Sequence, residues 1–216
     1  KASDWANACF ETGFMNRRWS SRWIETNHPG NPEYPVAYLR KEFSCTKKIV
    51  KARVYATALG IYEMSINGSN VSEDCFAPGW TDYHNRVQYQ AYDVTALLKK
   101  GENAVGAMLA DGWFTGCISR NDNTKECYYG KRPAFRAELH VYYADGTKDV
   151  IVTNETWTFS HDGPIRHSDI YMGEMFNSNL RKNIDGWNKP GFKPVTLWRN
   201  ANENHELKKN IEWNSG

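Results

Sequence analysis

The chain has 216 residues, enough for one large domain or two small ones with a sizeable buried core. Its net charge of +2 and its 24% of charged residues are typical of an ordinary globular protein, and this balance argues against nucleic acid or a membrane surface as a partner. Apolar runs long enough for a membrane-spanning helix are absent from the sequence, and the five cysteines include no CxxC pair that would indicate a zinc site.

The first half of the chain is dominated by strand patterns. Residues 1–36, rich in Asn, Trp and Pro, are predicted to be a lead-in segment from a preceding unit. In residues 49–59, small or apolar side chains at even positions alternate with larger, mostly polar ones, the period of two expected of a half-buried strand. Residues 61–66 continue the alternation, and Asn67-Gly68 then predicts a two-residue hairpin turn.

The second half adds further strands and almost no helix. Residues 87–92 alternate again, and Asp93 is placed to cap a single helical turn before Gly101. Residues 134–152 predict a hairpin around Asp145-Gly146, with the odd-numbered residues from Phe135 onwards on one face. About ten short strands separated by turns predict an all-β fold, a jelly-roll-like β-sandwich over residues 37–184. The loop-like, charged residues 185–216 are predicted to be an exit linker or the start of a next domain.

Seven stretches occur in the same order as in a known family: FETGF at 10–14, RWI at 22–24, YLRKEF at 38–43, ARVYATALGIYEMSINGSNV at 52–71, APGWTDYHNRVQYQAYDVTALLKKGENAVGAMLADGWFTG at 77–116, YGKRPAFRAEL at 129–139 and GPIRHSDIYMGEMFN at 163–177. They resemble the N-terminal β-sandwich region of bacterial α-L-rhamnosidases of glycoside hydrolase family 78. The resemblance covers nearly the whole chain and implies a galactose-binding-like sandwich.

The resemblance implies a multidomain parent enzyme. In this family several β-sandwiches precede an (α/α)6 barrel, which hydrolyses terminal α-L-rhamnose with inversion. This sequence lacks the long amphipathic helices of such a barrel, so we expect no catalytic residues here and expect the barrel of the same chain to be a partner. The family also implies a bacterial source, with a periplasmic or extracellular location favoured over a cytoplasmic one.

Three functions remain open for this chain: a structural module that packs on the barrel and orients it, a carbohydrate-binding module for a rhamnose-containing glycan, and an independent lectin. Hydrolysis of a glycosidic bond needs two facing carboxyl groups. The acids beside aromatics or glycines are Asp111, Glu174 and Asp185, and their spacing singles out no such pair. Asp111 and Asp185 each precede a Gly-Trp pair, which predicts turns in which the Asp carboxylate bonds backbone amides.

The resemblance also implies calcium, because some sandwich domains that match this region of the family bind terminal L-rhamnose through a calcium ion. Calcium takes several oxygen ligands, which loops supply easily. The loop TDYHNR offers Asp82 and Asn85, and the loop SRNDNTKECYYGKRP offers Asn121 and Asp122. The alternative is that Asp82 caps a tight turn and the second loop is a solvated tip.

Aromatic side chains near these loops are candidates for contact with a sugar. The chain has nine Trp, twelve Tyr and nine Phe, a content that suits a β-rich core as well as a sugar-binding surface. Trp80 and Trp113 each lie in a loop after a strand, and Tyr128 and Tyr129 lie in the second candidate calcium loop. With Asp82 they form the predicted carbohydrate-binding set. The alternative for both indoles is packing in the core or between loops.

Overall fold

The structure is a computed structural model that describes residues 13–14, 18–29, 34–118 and 127–213. Within these ranges the chain forms fifteen strands: β1 (Trp23–Glu25), β2 (Ala37–Cys45), β3 (Ile49–Leu59), β4 (Ile61–Ile66), β5 (Ser69–Asn70), β6 (Val87–Asp93), β7 (Gly101–Ala110), β8 (Ala134–Tyr143), β9 (Lys148–Val152), β10 (Thr158–Ser160), β11 (Ile165–Asp169), β12 (Gly173–Phe176), β13 (Arg199–Asn200), β14 (Asn202–Asn204) and β15 (Ile211–Trp213). Helix is limited to α1 (Gly112–Thr115) and 3-10 turns at Thr95–Leu97 and Ser178–Asn183. No helix in the described ranges is both long and apolar enough to cross a membrane.

Two large sheets form the predicted sandwich. The first has the order β14-β1-β8-β3-β6-β15, with β9 also paired to β8, and the second has the order β13-β10-β2-β7-β4-β5. Strands β11 and β12 form a separate two-stranded hairpin. The all-β sandwich expected from the sequence is therefore confirmed.

The main core contains buried side chains from strands of both sheets. The predicted inward face of β3 is confirmed at Ala52, Val54, Ala56 and Ala58, which are fully buried. Val50 was expected on the same face but is exposed, because the pairing of β3 with β8 shifts register between Ile49 and Lys51. On β8, the odd-numbered residues from Phe135 to Tyr143 are all buried, as predicted.

Part of the outward face of the first sheet is also buried, which corrects the expectation of a half-buried strand. Tyr55 and Thr57 of β3 lie on this face and are buried. The reason is a segment that we call the N-terminal strap, the described residues 13–14 and 18–26. Its Phe14 ring packs on Tyr55 with the ring centroids 4.1 Å apart.

The strap is held by a buried carboxylate. Glu138 Oε1 accepts a hydrogen bond from the backbone N–H of Ser21 at 2.8 Å and also bonds the backbone N–H and the hydroxyl of Ser20. The other oxygen contacts His140 Nε2 at 2.9 Å. Burial alone would raise the pKa of Glu138, but the hydrogen bonds from His140, Ser21 and Ser20 outweigh burial and lower the pKa to about 2. Glu138 is therefore ionised at neutral pH.

The predicted turns form as expected. Asn67 and Gly68 both have positive φ, 52° and 87°, and join β4 to β5 with Ile66 paired to Ser69. The Asp145-Gly146 turn joins β8 to β9. The predicted helical turn after Asp93 is present as the 3-10 turn Thr95–Leu97, where the Asp93 carboxylate accepts from the Thr95 N–H at 3.0 Å.

Both flanking segments pair with the sandwich where the structure describes them. Strand β1 lies between β14 and β8, and β15 pairs in parallel with β6. Trp187, which follows the predicted boundary at residue 184, is buried against Tyr38 at a ring-centroid distance of 5.3 Å. The division into 1–36, 37–184 and 185–216 stays a prediction, and the described flanks contribute strands to the same two sheets.

Candidate functional site

The turn between β5 and β6 is fixed by hydrogen bonds to the second and first sheets. The backbone carbonyl of Ala77 accepts from the N–H of Tyr62 in β4 at 3.0 Å, and the carbonyl of Pro78 accepts from the side-chain amide of Gln90 in β6 at 3.0 Å. The hydroxyl of Tyr83 donates to the carbonyl of Gly79 at 2.8 Å. Because Tyr83 is fully buried, this hydrogen bond anchors the turn to the interior of the domain.

This turn presents two large aromatic side chains to solvent. Trp80 is 49% exposed and Phe76 is 57% exposed. Phe76 has a φ of 60°, in the left-handed region that bulky residues rarely adopt. Its backbone carbonyl accepts the N–H of Gly79 at 2.8 Å, which closes the turn around this strained residue.

Four of the residues predicted to contact a sugar lie together. The indoles of Trp80 and Trp113 are nearly parallel, with an interplanar angle of 7° and ring centroids 5.8 Å apart. The Nε1–H of Trp80 donates to the Tyr129 hydroxyl at 3.3 Å, and the ring centroids of Tyr129 and Tyr128 are 4.8 Å apart. Phe76 adds a fifth ring, 6.0 Å from Trp113. We call these five residues the aromatic surface.

Trp113 is placed by the four-residue helix α1. The prediction that the Asp111 carboxylate bonds backbone amides is wrong, because the Asp111 side chain makes no capping hydrogen bond to the helix. The residue itself has helical dihedral angles, and its buried carboxylate lies 3.5 Å from His28 Nε2 instead. Burial raises the pKa of Asp111, an effect that His28 partly opposes.

Asp82 caps its own turn, the alternative that the sequence left open. Its carboxylate accepts from the backbone N–H of His84 at 3.1 Å and from the side-chain amide of Asn85 at 2.6 Å. The backbone hydrogen bond from His84 is the main cause of a lowered pKa at Asp82. The His84 ring lies 5.1 Å from Tyr129 and 5.5 Å from Tyr128, so this turn borders the aromatic surface.

The calcium ligands are only partly described. Asn121 and Asp122 lie outside the described residues. Asn85 directs its amide nitrogen, which is not a calcium ligand, towards Asp82. Calcium takes six to eight oxygen ligands, so Asp82 and Asn85 do not form a shell by themselves. Across the described part of the chain, no three His, Cys, Asp or Glu side chains form a group that could hold a metal ion.

The remaining acids considered from the sequence lie on separate elements. Glu174 is exposed on β12, and Asp185 is exposed in the turn before Trp187. The predicted turn is confirmed by the bond from the Trp187 N–H to the Ile184 carbonyl at 3.0 Å, but within the described residues the Asp185 carboxylate accepts no backbone N–H. Asp111 is buried beside His28.

The predicted carbohydrate-binding set does not include Phe76, Tyr83 or His84, although His84 beside Tyr83 is a possible hydrogen-bonding partner of a sugar. All three lie close to Trp80 in the sequence, and this clustering of rings around a Pro-Gly pair is the feature that would have pointed to them. The exposure of Phe76 and the burial of Tyr83 depend on the strands that hold the turn.

Comparisons with known proteins give one consistent result. The family model of the α-L-rhamnosidase N-terminal domain matches residues 47–215. An α-L-rhamnosidase of Streptomyces avermitilis is 46% identical over 155 residues, which are 71% of this chain and 14% of the relative. An α-L-rhamnosidase of Alteromonas sp. is 35% identical over 201 residues, 88% of this chain and 21% of the relative. The crystal structure of an α-L-rhamnosidase from Aspergillus terreus superposes with a TM-score of 0.83 at 37% identity, over 90% of this chain and 22% of that one.

Proposed function

Because the chain belongs to the α-L-rhamnosidase N-terminal domain family, we propose that it is a non-catalytic accessory domain of a longer α-L-rhamnosidase. In this proposal it packs on and orients an (α/α)6 barrel of the same chain, which hydrolyses terminal α-L-rhamnose from glycans or glycosides with inversion. The observation that carries the proposal is length: the chain spans only 14% to 22% of the relatives that it matches.

The β11–β12 hairpin supports a docking role. Its side chains Met172 and Met175 are 64% and 62% exposed, and Phe176 is also exposed. Exposed apolar side chains that lie close together commonly mark interaction surfaces, and Met adapts well to an irregular partner. We propose that this hairpin contacts the barrel, since most of the length of the relatives lies outside the part that this chain matches.

The hairpin is also held in a fixed position, as a docking surface requires. The buried carboxylate of Asp169 accepts from the backbone N–H groups of Tyr171 and Met172, each at 2.8 Å. Its other oxygen accepts from the N–H of Cys117 at 2.7 Å, which ties the hairpin to the segment after α1. Met172 therefore projects from an anchored turn, and Met175 and Phe176 follow it on β12.

The test uses the full-length enzyme. A Met172→Ser/Met175→Ser double variant is expected to lower its Tm by several degrees, at about 2–4 °C per kcal/mol for a large domain. The matched control is Val50→Ser, an exposed apolar residue at the start of β3 that is expected to change nothing. An unchanged Tm in the double variant would remove the docking role. Hydrolysis of p-nitrophenyl α-L-rhamnoside by residues 1–216 alone would contradict the non-catalytic role.

A second candidate function is binding of terminal L-rhamnose, and the aromatic surface favours it. The nearly parallel indoles of Trp80 and Trp113 offer apolar faces to the C–H groups of a pyranose. In the calcium-assisted form of this proposal, Asp82, Asn85, Asn121 and Asp122 would supply oxygen ligands to the ion, and sugar hydroxyls would complete its shell.

Titration calorimetry with L-rhamnose, in calcium and in a chelator, tests the second function. Binding that Trp80→Ala abolishes would support it, and Phe176→Ala is the matched control, because the two rings are 49% and 47% exposed. If the heat of binding is lost both in the chelator and in Asp82→Ala, this result would support calcium-assisted binding. Absence of heat at millimolar sugar in both buffers would rule the second function out.

A further inference from the structure

An open groove lies beside the N-terminal strap, away from the residues assigned above. Residues 13–14 and 18–19 of the strap line it together with residues 208–212, which include the first two residues of β15. Tyr89 of β6 and Arg136 of β8 complete the lining. The groove is thus formed by the two flanks of the chain and by two strands of the first sheet.

The groove is rich in positive charge. Four cationic side chains line it, Arg18, Arg136, Lys208 and Lys209, against the single acid Glu212. Arg18 and Lys208 are exposed. The carboxylate of Glu212 lies 3.1 Å from the guanidinium of Arg86, which offsets its charge. A surplus of cations therefore faces the groove.

Arg136 is the fixed cation of the set. Its guanidinium donates to the carbonyl of Ser21 at 2.7 Å and to the Ser21 hydroxyl at 3.1 Å. Burial lowers the pKa of Arg136 to about 10, which leaves the group protonated at neutral pH. Because the strap holds this guanidinium in place, little side-chain entropy is lost when it meets an anion.

Aromatic rings stand beside these cations. Trp19 packs edge-on against Phe14, with centroids 5.0 Å apart, and the guanidinium of Arg136 lies 5.3 Å from the Trp19 ring centroid. Both rings are half-buried. Partly exposed rings offer contact to the carbons of a pyranose, and guanidinium and ammonium groups pair with carboxylate or sulfate oxygens.

We propose that this groove binds an anionic sugar unit, a uronate or a sulfated pyranose within a glycan, through Arg18, Arg136, Lys208 and the Trp19 ring. The site is separate from the aromatic surface and does not depend on sugar binding there. The two are adjacent, because the Lys209 ammonium donates to the Tyr83 carbonyl at 2.7 Å and the Tyr83 ring lies 5.1 Å from Tyr129. A glycan held in the groove would extend towards the aromatic surface.

The experiment is titration calorimetry of the 216-residue chain with four matched probes. Oligogalacturonate supplies carboxylates, a sulfated dextran oligosaccharide supplies sulfates, methyl-esterified oligogalacturonate supplies the same ring without charge, and oligoglutamate supplies charge without sugar. We expect one or both anionic sugars to bind at least tenfold more tightly than the ester and the peptide. Raising the salt from 50 to 500 mM should weaken that binding, since screening acts on exposed charges. The first two probes distinguish uronate from sulfate.

Two variants assign the binding to the groove. Arg18→Ala and Lys208→Ala are each expected to weaken it about threefold, the scale of an exposed ion pair, and the double variant about tenfold. Both residues are exposed, so the fold should be retained, and exposed Lys100, which does not line the groove, gives the matched control Lys100→Ala. Failure of both anionic sugars to bind would overturn the proposal. If oligoglutamate binds equally tightly and loses affinity in the same two variants, the groove is a site for acidic peptides and not for sugars. If Lys100→Ala loses as much affinity as the groove variants, the binding is general charge attraction and not a site.

Discussion

The outward face under the N-terminal strap and the aromatic surface show opposite arrangements of polar and apolar groups. Under the strap, a carboxylate and an imidazole are buried, at Glu138 and His140. On the aromatic surface, Phe76 and Trp80 are about half exposed. Both depart from the usual rule that charges lie outside and aromatics inside.

What separates the two regions is where their partners lie. Glu138 bonds Ser20, Ser21 and His140 of the same chain, so its hydrogen bonds are available to offset the cost of burial. Trp80 contacts Trp113 on one side, and about half of its surface remains open. A buried polar group with internal partners stabilises the fold, whereas an exposed aromatic group that is held in place is available to a ligand or another domain.

The largest effect is expected at Glu138. Glu138→Ala should lower the free energy of unfolding by about 3–5 kcal/mol, because it leaves the buried donors of Ser21 and His140, and the hydroxyl of exposed Ser20, without their acceptor. Urea denaturation measures it, with Glu174→Ala on the exposed face of β12 as the control, expected within about 0.5 kcal/mol of the parent. A loss below about 1 kcal/mol would mean that aromatic packing of Phe14, and not the carboxylate, holds the strap.

The same carboxylate predicts an acid-dependent loss of stability. The pKa of Glu138 is lowered from 4.5 to about 2 in the folded chain. A lowered pKa contributes stability that is complete above the unfolded value and is lost as the pH falls through the folded one. At 1.36 kcal/mol per unit, this shift corresponds to about 3 kcal/mol lost between pH 4.5 and 2. Unfolding free energies measured across this range should show a steeper decline for the parent than for Glu138→Gln, and parallel curves would exclude Glu138 as the cause.

The sequence predicted the sandwich because its evidence is local. Alternation with a period of two identifies which side chains of β3 and β8 face the core, and Asn67-Gly68 specifies a turn by its own backbone preferences. The burial of the second face could not be predicted in this way. The strap residue Ser21 and its acceptor Glu138 are 117 positions apart, and no local pattern records that contact.

The candidate site was predicted by residue type more successfully than by geometry. The sequence predicts Trp80, Trp113, Tyr128 and Tyr129 to be aromatics in loops, and the structure brings them together. Their mutual orientation depends on α1 and on the anchored turn at Tyr83, which are tertiary features. The role of Asp82 stayed open for the same reason, since the residue types that cap turns are also the ones that bind calcium.

A smaller effect is expected where the aromatic surface joins the core. Tyr83→Phe removes the hydrogen bond to the Gly79 carbonyl and should lower the free energy of unfolding by about 1 kcal/mol. Tyr142→Phe on β8 is the matched control, because the Tyr142 hydroxyl makes no hydrogen bond with the described residues. Equal losses in both variants would show that the bond does not anchor the turn.

The smallest effect is expected at Trp80, although it is a large aromatic residue. Its stacking with Trp113 contributes about 0.5–1.5 kcal/mol at most, and half of the ring is already in water, so Trp80→Ala should lower the free energy of unfolding by less than about 1 kcal/mol. Trp157→Ala in the core should cost about 3–5 kcal/mol under the same conditions. If Trp80→Ala lowered the free energy of unfolding nearly as much as Trp157→Ala, the aromatic surface would contribute to the packing of the fold, as the contacts under the strap do. If its cost stays small, the rings at 76–80 contribute little to stability, and their fixed, exposed placement is better explained by contact with a ligand or with another domain.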